Sequence, residues 1–362
     1  MLALQRKKRM NVLVVGAGPT GLMVGIELAR RGVTPTVVDQ RDSASTLSRA
    51  VGITPRSLEL LSHSGAADPL IAEGIAMDGL RVYHGQKLSL GMPLRSSTAF
   101  HPNLVCLPQD RTEAIMATVL TKRGTTVKYG LKFEGLTQLA DGVLTRFDDG
   151  TEEIFDHVVG ADGIRSTVRE QAGIAYPGFD LDERWSVADV DIANWRHPGC
   201  LTVVQAGPGK VAVVVPIGEG RYRVVAVGES ALKAMPLPLD VTNVRREGAF
   251  TISIRIADTY STGRIHLAGD AAHAHSPVGG RGMNLGIADA AELARRLVEG
   301  GLKGYSEARH IEALEARKIT ERGRKMSTGP NLGRRIAFRG LVTAASLLPT
   351  IRRRLGSFIV EF

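Results

Sequence analysis

The stretch that most constrains this chain is residues 11–41, where an apolar strand, a glycine-rich turn and a helix follow one another. Residues 11–15 read NVLVV, a continuous apolar run typical of a strand buried in a parallel sheet. GAGPTG follows at once, and Gly16, Gly18 and Gly21 have the spacing G-x-G-x-x-G. In that motif the first glycine permits a tight turn, the second lets the backbone approach a pyrophosphate, and the third lets the helix pack on the strand.

The surroundings of this motif favour a nucleotide site. A helix is predicted over about residues 20–31, with Gly32 as its stop, and its N-terminal N–H groups would face phosphates. A second strand, TVVD, ends on Asp39, eighteen residues after Gly21, where a carboxylate can accept hydrogen bonds from both hydroxyls of an adenosine ribose. Strand, turn, helix and acid together predict a dinucleotide-binding unit, which the glycines alone would not.

Length and composition exclude several classes of protein. The 362 residues, 43% of them apolar, allow one large domain or two interleaved ones with a sizeable core. No apolar run reaches the length of a membrane-spanning helix, and the run after the basic start MLALQRKKRM is too short for a signal peptide. Cys106 and Cys200 have neither metal-ligand nor disulfide spacing, so we predict two small buried side chains, no metal site and a reducing, cytoplasmic location.

The net charge of +9 is concentrated at one end of the chain. Residues 317–362 contain eleven Lys or Arg and two Glu, and the remainder contains 35 basic and 35 acidic residues. The charge therefore indicates a basic C-terminal tail and does not favour a nucleic-acid-binding protein.

Several loops place polar side chains where strands of such a sheet would end. Arg41 and Arg49 flank a Ser/Thr-rich loop after the second strand, and Gln109 stands where a loop enters a helix. HVVGADGIRSTVRE reads as a strand that turns into a helix at Asp162. Basic side chains and helix starts can meet a diphosphate, although each stretch alone is equally typical of a solvated connection.

The pattern of a strand, a glycine-rich loop and a helix returns after residue 250. GRIHLAGD predicts a strand over residues 264–267 that leads to Asp270, and a glycine-rich loop at 277–282 opens a long helix from about Met283. Such a loop and helix start form another anion-binding arrangement.

Residues 184–229 have a different sequence pattern from the rest of the chain. They comprise strand-like pieces separated by Gly/Pro turns with no helix between them, which predicts a mostly antiparallel layer and a substrate wall. Residues 230–247, which include Pro236 and Pro238, are predicted to be helix and loop.

Three motifs in this order resemble the class A FAD-dependent monooxygenases, the p-hydroxybenzoate hydroxylase and phenol hydroxylase class: GAGPTG, GADGIRSTVR and GRIHLAGDAAHAHSPVGGRGMN. RAVGITPRSLELL and QDRTE are similar to that family as well, so the resemblance covers about residues 12–297. It implies an α/β fold with a Rossmann-like FAD-binding domain, an inserted antiparallel substrate domain and a helical C-terminal tail. The expected ranges are 10–183 for the first part of the FAD-binding domain, with small β insertions from about 80–105, then 184–250 for the substrate domain, 251–325 for the return of the FAD-binding domain and 326–362 for the tail.

The resemblance also implies roles for single residues. The ADP half of FAD would be held by Gly16, Gly18, Gly21 and Asp39, with further contacts from Arg41, Arg49 and Gln109. The remaining implied contacts are Asp162 for FAD and NAD(P)H, Asp270 for the ribitol or diphosphate, and Pro277, Gly280, Gly282, Met283 and Asn284 along the isoalloxazine.

Some positions depart from the family pattern. Arg281 stands where a Gln is frequent, and its guanidinium either stabilises an anionic flavin or substrate carboxylate or points to solvent. The thioredoxin-like C-terminal domain of the phenol hydroxylase branch is not expected. His273 and His275 are interpreted as turn residues in preference to a catalytic base, and no catalytic base is identified.

The implied reaction is hydroxylation of a phenol-like ring. NAD(P)H, bound transiently, would reduce FAD, and O₂ would form a flavin C4a-hydroperoxide that transfers one oxygen atom. Epoxidation, Baeyer–Villiger insertion, reduction of a polyprenyl chain and a substrate-less flavin-binding accessory protein remain alternatives, and the protein is expected to be a monomer or homodimer.

The C-terminal tail allows three interpretations. Ile336, Phe338, Leu341, Val342, Leu347 and Leu348 are interspersed with Arg334, Arg335 and Arg339, and Arg352, Arg353 and Arg354 follow Pro349. Its helices either pack an apolar face on the body, rest on an anionic membrane, or form a dimer contact; packing is the favoured interpretation.

Overall fold

A computed structural model describes residues 10–45, 50–96, 100–276, 280–327 and 332–361. Arg49 and Pro277 lie outside these described residues. Within the described ranges the strands are β1 (Val12–Val15), β2 (Thr36–Asp39), β3 (Gly52–Ile53), β4 (Ile75–Ala76), β5 (Gly79–His84), β6 (Lys87–Pro93), β7 (Val105–Cys106), β8 (Lys128–Tyr129), β9 (Phe133–Gln138), β10 (Val143–Phe147), β11 (Glu152–Phe155), β12 (His157–Gly160), β13 (Gly178–Ala193), β14 (Cys200–Gly207), β15 (Lys210–Gly218), β16 (Arg221–Val227), β17 (Asp240–Ile256), β18 (Ser261–Thr262), β19 (Ile265–Leu267) and β20 (His273–Ala274).

The helices alternate with these strands in the α/β part and follow them at the C-terminus. They are α1 (Pro19–Arg30), α2 (Pro55–Ser64), α3 (Ala67–Glu73), α4 (Gln109–Lys122), α5 (Thr167–Gln171), α6 (Ala231–Ala234), α7 (Arg281–Glu299), α8 (Tyr305–Ser327), α9 (Leu332–Leu347) and α10 (Pro349–Glu361), with 3₁₀ turns at Gly269–Ala271 and Leu302–Gly304. None of the helices in the described ranges is long and apolar enough to cross a lipid bilayer.

A six-stranded sheet carries the nucleotide motif at its centre. Its order is β18-β19-β12-β1-β2-β8, and all neighbours are parallel except β18 and β19. All four residues of β1 are buried, because this strand has neighbours on both edges and helices pack against the sheet. The carboxyl ends of β1, β2, β12 and β19 lie at one edge, so the loops that follow them meet there.

The predicted first helix is confirmed. Proline occupies the first position of α1 and Gly18 is its N-cap residue. Gly32 follows the C-cap with a φ of +82°, the left-handed conformation in which glycine ends helices without a steric penalty.

The second large sheet has eight strands in the order β20-β17-β13-β16-β15-β14-β5-β6. Only the β14–β5 pair is parallel among its pairings. Residues 79–93, which the sequence assigns to insertions of the first range, therefore belong to this sheet through β5 and β6. The prediction of helix and loop for residues 230–247 is wrong from Asp240 onward, because β17 pairs along most of the length of β13.

Helices α9 and α10 contact this second sheet at β6. Val342, Ala345 and Val360 are buried in one apolar cluster with Leu90 and Met92 of β6. One face of the tail thus packs on the body of the protein.

Candidate nucleotide and flavin site

The three motif glycines have different surroundings. Gly16 has a φ of +102°, and a Cβ added there would collide with the backbone of Ala161. A Cβ on Gly21 would collide with the backbone oxygen of Gly16. A Cβ on Gly18 would meet nothing within 4 Å. Packing alone accounts for two of the glycines, whereas Gly18 leaves open space beside the start of α1, where the helix N–H groups have no partners within the helix.

The carboxylate of Asp39 is fully engaged at the end of β2. It accepts the Ala17 N–H at 2.7 Å, the Arg41 N–H at 2.9 Å, and two guanidinium N–H groups of Arg41 at 2.9 Å each. Burial alone would raise the pKa of Asp39, but these hydrogen bonds hold it below its ordinary value. Because a carboxylate has about four acceptor positions, a ribose hydroxyl would have to take the place of an Arg41 hydrogen bond.

Arg41 also connects β2 to α4. Its Nη1 donates to Glu113 Oε2 at 3.0 Å, and Gln109 Nε2 donates to Glu113 Oε1 at 2.9 Å. Gln109 Oε1 in turn accepts the Ala50 N–H at 3.0 Å. The structure therefore brings Asp39, Arg41 and Gln109 together. Glu113, which lies in the first half of α4, links them.

Asp162 shapes the turn after β12. Its carboxylate accepts hydrogen bonds from the Ser166 hydroxyl at 2.5 Å and from the Val168 N–H at 3.1 Å. Burial raises the pKa of Asp162 above its ordinary value, although these hydrogen bonds oppose the change. Its side chain has a structural role in the loop whatever else it contacts.

Two side chains that the sequence did not single out as site residues tie this turn to the turn after β19. Arg169 donates to the Ala271 carbonyl at 3.0 Å and to the Ile164 carbonyl at 3.1 Å. Its guanidinium lies 3.9 Å from the ring centre of Tyr176, whose hydroxyl donates to the Asp270 carbonyl at 2.8 Å. The side chain of Asp270 is exposed, and a Cβ on Gly282 would lie 3.9 Å from Asp270 Oδ1. Asp270 therefore faces the beginning of α7.

The beginning of α7 is held by Asn284. Its Oδ1 accepts the Thr54 N–H at 2.9 Å, and its Nδ2 donates to the carbonyls of Gly52 at 2.9 Å and Gly280 at 2.8 Å. Gly280 has a φ of +63° and caps the helix without a side chain. The side-chain amide of Asn284 is thus committed to backbone groups, and the first turn of α7 can offer a ligand its backbone N–H groups.

Arg281 is 7% exposed, and burial lowers its pKa to about 10. Burial disfavours the interpretation in which its guanidinium points to solvent. Met283 is half-buried in the same turn.

A buried network of charged side chains holds the turn after β19 to α7. Asp289 of α7 accepts hydrogen bonds from the Gly269 N–H at 3.0 Å and from Arg309 Nε at 2.6 Å, and lies 2.6 Å from His273 Nε2. Burial alone would raise the pKa of Asp289, but His273 and Arg309 lower it to about 2. His273 stacks on His275 with ring centres 5.0 Å apart. These contacts favour the interpretation of His273 as a structural turn residue.

One face of the eight-stranded sheet carries a row of half-buried valines. Val187, Val225, Val213 and Val203 are neighbours in register, one on each of β13, β16, β15 and β14. Val203 and Val213 pack against the same apolar cluster as Val51, which precedes the Gly52 carbonyl bonded by Asn284. Two members of the valine row, which is defined by these four valines, thus share an apolar cluster with the residue before β3, and Asn284 ties β3 to the beginning of α7.

A buried ion pair lies beside the valine row. The Arg223 guanidinium donates to both carboxylate oxygens of Asp189, at 2.6 and 2.7 Å, across neighbouring positions of β16 and β13. A paired, doubly hydrogen-bonded geometry is what permits two charges to be buried in this way.

Comparison with known proteins extends this description. The family model described as FAD binding domain matches residues 9–236 and 230–318. The chain is 33% identical to a rifampicin monooxygenase of Streptomyces venezuelae, over 97% of this chain and 75% of that relative. It is 31% identical to the 6-methylpretetramide 4-monooxygenase of Streptomyces rimosus, over 93% of this chain and 64% of that relative, and so spans less than two thirds of it.

A solved structure shares the fold. The crystal structure of p-nitrophenol 4-monooxygenase from Pseudomonas putida DLL-E4 superposes with a TM-score of 0.87 at 24% identity, covering 96% of both chains.

Proposed function

This chain belongs to the FAD binding domain family, within the class A flavoprotein monooxygenases, and we propose that it uses FAD, NAD(P)H and O₂ to hydroxylate an aromatic small molecule. The observation that carries the proposal is a juxtaposition. Loops from β1, β12 and β19 bearing the three motifs of the resemblance meet at one sheet edge, and Asn284 ties the last of these motifs to β3, whose neighbour Val51 packs on the same apolar cluster as two members of the valine row.

The residues present fit FAD. The open space at Gly18 admits a pyrophosphate against the first turn of α1, and the exposed Asp270 can accept a hydrogen bond from a hydroxyl at the next strand end. The N–H groups of residues 280–284 suit a ring edge that gains negative charge on reduction. When bound, FAD supplies the redox chemistry, taking a hydride from NAD(P)H and activating O₂ for transfer of one oxygen atom.

The substrate would lie between the valine row and the first turn of α7. Four half-buried valines form a flat, apolar wall suited to an aromatic ring, and such a wall excludes water from the reacting atoms. Arg281 is buried in the first turn of α7, so its positive charge would favour a phenolate or a carboxylate beside that turn over a neutral ring. These assignments explain why an acidic aromatic compound is the first class to test.

The experiment is a direct one. The purified protein should carry or take up FAD, seen by its visible absorption, and should oxidise NADPH or NADH faster when a phenol from a panel is added. Mass spectrometry should find a product one oxygen atom heavier than the phenol. Protein that cannot be reconstituted with FAD would refute every flavin-dependent function. An epoxide formed from an alkene, or an ester formed from a ketone, when either replaces the phenol would instead indicate epoxidation or Baeyer–Villiger insertion.

A further inference from the structure

The end of the tail hairpin exposes apolar side chains that the body does not cover. Helix α9 buries Val342 and Ala345, whereas Leu347 is 73% exposed and Leu348 is 50% exposed where α9 turns into α10. Ile336 precedes Leu347 by eleven residues, about three helical turns, so it lies on the same side of α9, and it is 61% exposed. Packing on the body therefore buries only one face of the tail helices.

The tail helices carry charge of one sign up to Val360. Residues 332–360 contain six Lys or Arg and neither Asp nor Glu. Arg339 of α9 and Arg353 and Arg354 of α10 are exposed. We call the exposed side chains Ile336, Arg339, Leu347, Leu348, Arg353 and Arg354 the tail surface.

We propose that the tail surface docks the protein onto an anionic lipid bilayer, with Leu347 and Leu348 entering the acyl boundary and the arginines contacting the headgroups. Exposed leucines at a helix turn with basic neighbours match the two contributions to interfacial binding, buried apolar area and attraction to anionic lipid. A second copy of this chain would present the same positive charge, so charge complementarity favours a negative surface as the occupant. This docking does not depend on the proposed reaction.

The test uses sedimentation of the full chain with vesicles. Vesicles of phosphatidylcholine alone are compared with vesicles that also contain phosphatidylglycerol, at low salt and at about 1 M salt, where the Debye length falls to about 3 Å. We expect binding to the anionic vesicles at low salt, little binding to the neutral ones, and loss of binding at high salt.

Two pairs of variants locate the contact. Arg353→Glu with Arg354→Glu should lower the vesicle partition coefficient by about thirtyfold or more. Each basic side chain near an anionic surface raises that coefficient by about fivefold to tenfold. Leu347→Glu with Leu348→Glu should weaken it by about tenfold or more. The matched controls are Lys122→Glu with Lys128→Glu, both exposed away from the tail, and Ile154→Glu, which replaces a side chain that is 53% exposed on β11.

Each control should bind like the natural chain, and all variants should keep its thermal midpoint. The proposal is overturned if the natural chain does not sediment with anionic vesicles at low salt, or if the Leu347/Leu348 variant binds as well as its control. It is also overturned if that variant converts a dimer into a monomer in analytical ultracentrifugation while no protein binds vesicles, because the tail surface would then cover a second copy.

Discussion

At the scale of single residues, the three glycines of the motif GAGPTG differ in what surrounds them. Gly16 and Gly21 are dictated by contacts within the protein, since a Cβ at either position would overlap backbone atoms. Gly18 borders open space, so nothing in the protein itself demands a glycine there. Under the proposed function the open space at Gly18 is where a pyrophosphate would lie, so substitution can separate the two kinds of glycine.

We expect Gly18→Val to abolish FAD binding while the protein stays folded, because a branched side chain would fill the space that a pyrophosphate needs. Gly21→Ala should instead lower the thermal midpoint, because its Cβ would collide with Gly16. Flavin absorbance after gel filtration and thermal melting measure the two outcomes. Normal flavin content in the Gly18 variant would show that the pyrophosphate lies elsewhere.

Asp270 allows a second test at this scale. Its exposed carboxylate is expected to accept a hydrogen bond from the cofactor, so Asp270→Ala should weaken FAD binding by about 1.5–3 kcal/mol, roughly tenfold to a hundredfold. The thermal midpoint of the apoprotein should not change. Asp141→Ala, an exposed carboxylate distant from the site, is the control in a fluorescence titration. An unchanged dissociation constant for the Asp270 variant would contradict its assignment.

At the scale of elements, α7 is the organising helix of the site. Its first turn binds β3 through Asn284, and its middle binds the turn after β19 through Asp289. One rigid helix thus sets the distance between the valine row and the Asp270 turn. A substitution in the middle of α7 should therefore affect both the valine row and the turn that contains Asp270.

Asp289→Asn should destabilise the protein by about 3–5 kcal/mol, because it removes the fully buried carboxylate that Arg309 and His273 contact and leaves Arg309 only its pair with the partly exposed Glu312. Glu292→Gln on the same helix breaks partly exposed ion pairs and should cost only about 0–1 kcal/mol. Urea unfolding of both apoproteins measures the difference. Equal losses would mean that the buried network adds nothing beyond an ordinary surface pair.

At the scale of the whole molecule, buried histidines make stability depend on pH. His266 of β19 lies 3.1 Å from His157 of β12, and burial lowers the pKa of His266 to about 3. Burial also lowers the pKa of His275 to about 3. Both are neutral in the folded protein and take up protons when it unfolds below their ordinary pKa.

Unfolding therefore binds protons between about pH 6.5 and pH 3, and the free energy of unfolding must fall as the pH is lowered through that window. Each histidine contributes a slope of at most about 1.4 kcal/mol per pH unit. Urea unfolding at pH 7.5, 6 and 5 should show a steeper loss for the natural protein than for His266→Gln. Parallel pH profiles would show that His266 is accessible to protons in the folded state. The lowered pKa of Asp289 acts in a different range, because the stability it contributes is lost only as the pH falls from about 3.8 to about 2.

The sequence by itself determined the β1–α1–β2 unit, because its glycine spacing, its helix stop and its apolar strand are all local signals that act within thirty residues. It also determined the family, since three motifs in a fixed order can be identified without a structure. Only the tertiary structure decided the ion pair of Arg41 with Glu113, the hydrogen bond from Asn284 to Gly52, and the burial of Arg281. It also decided that residues 240–256 form a strand, through pairing with β13. These features depend on partners far away in the chain, and local propensity carries no information about which distant backbone or side chain will lie opposite a given residue.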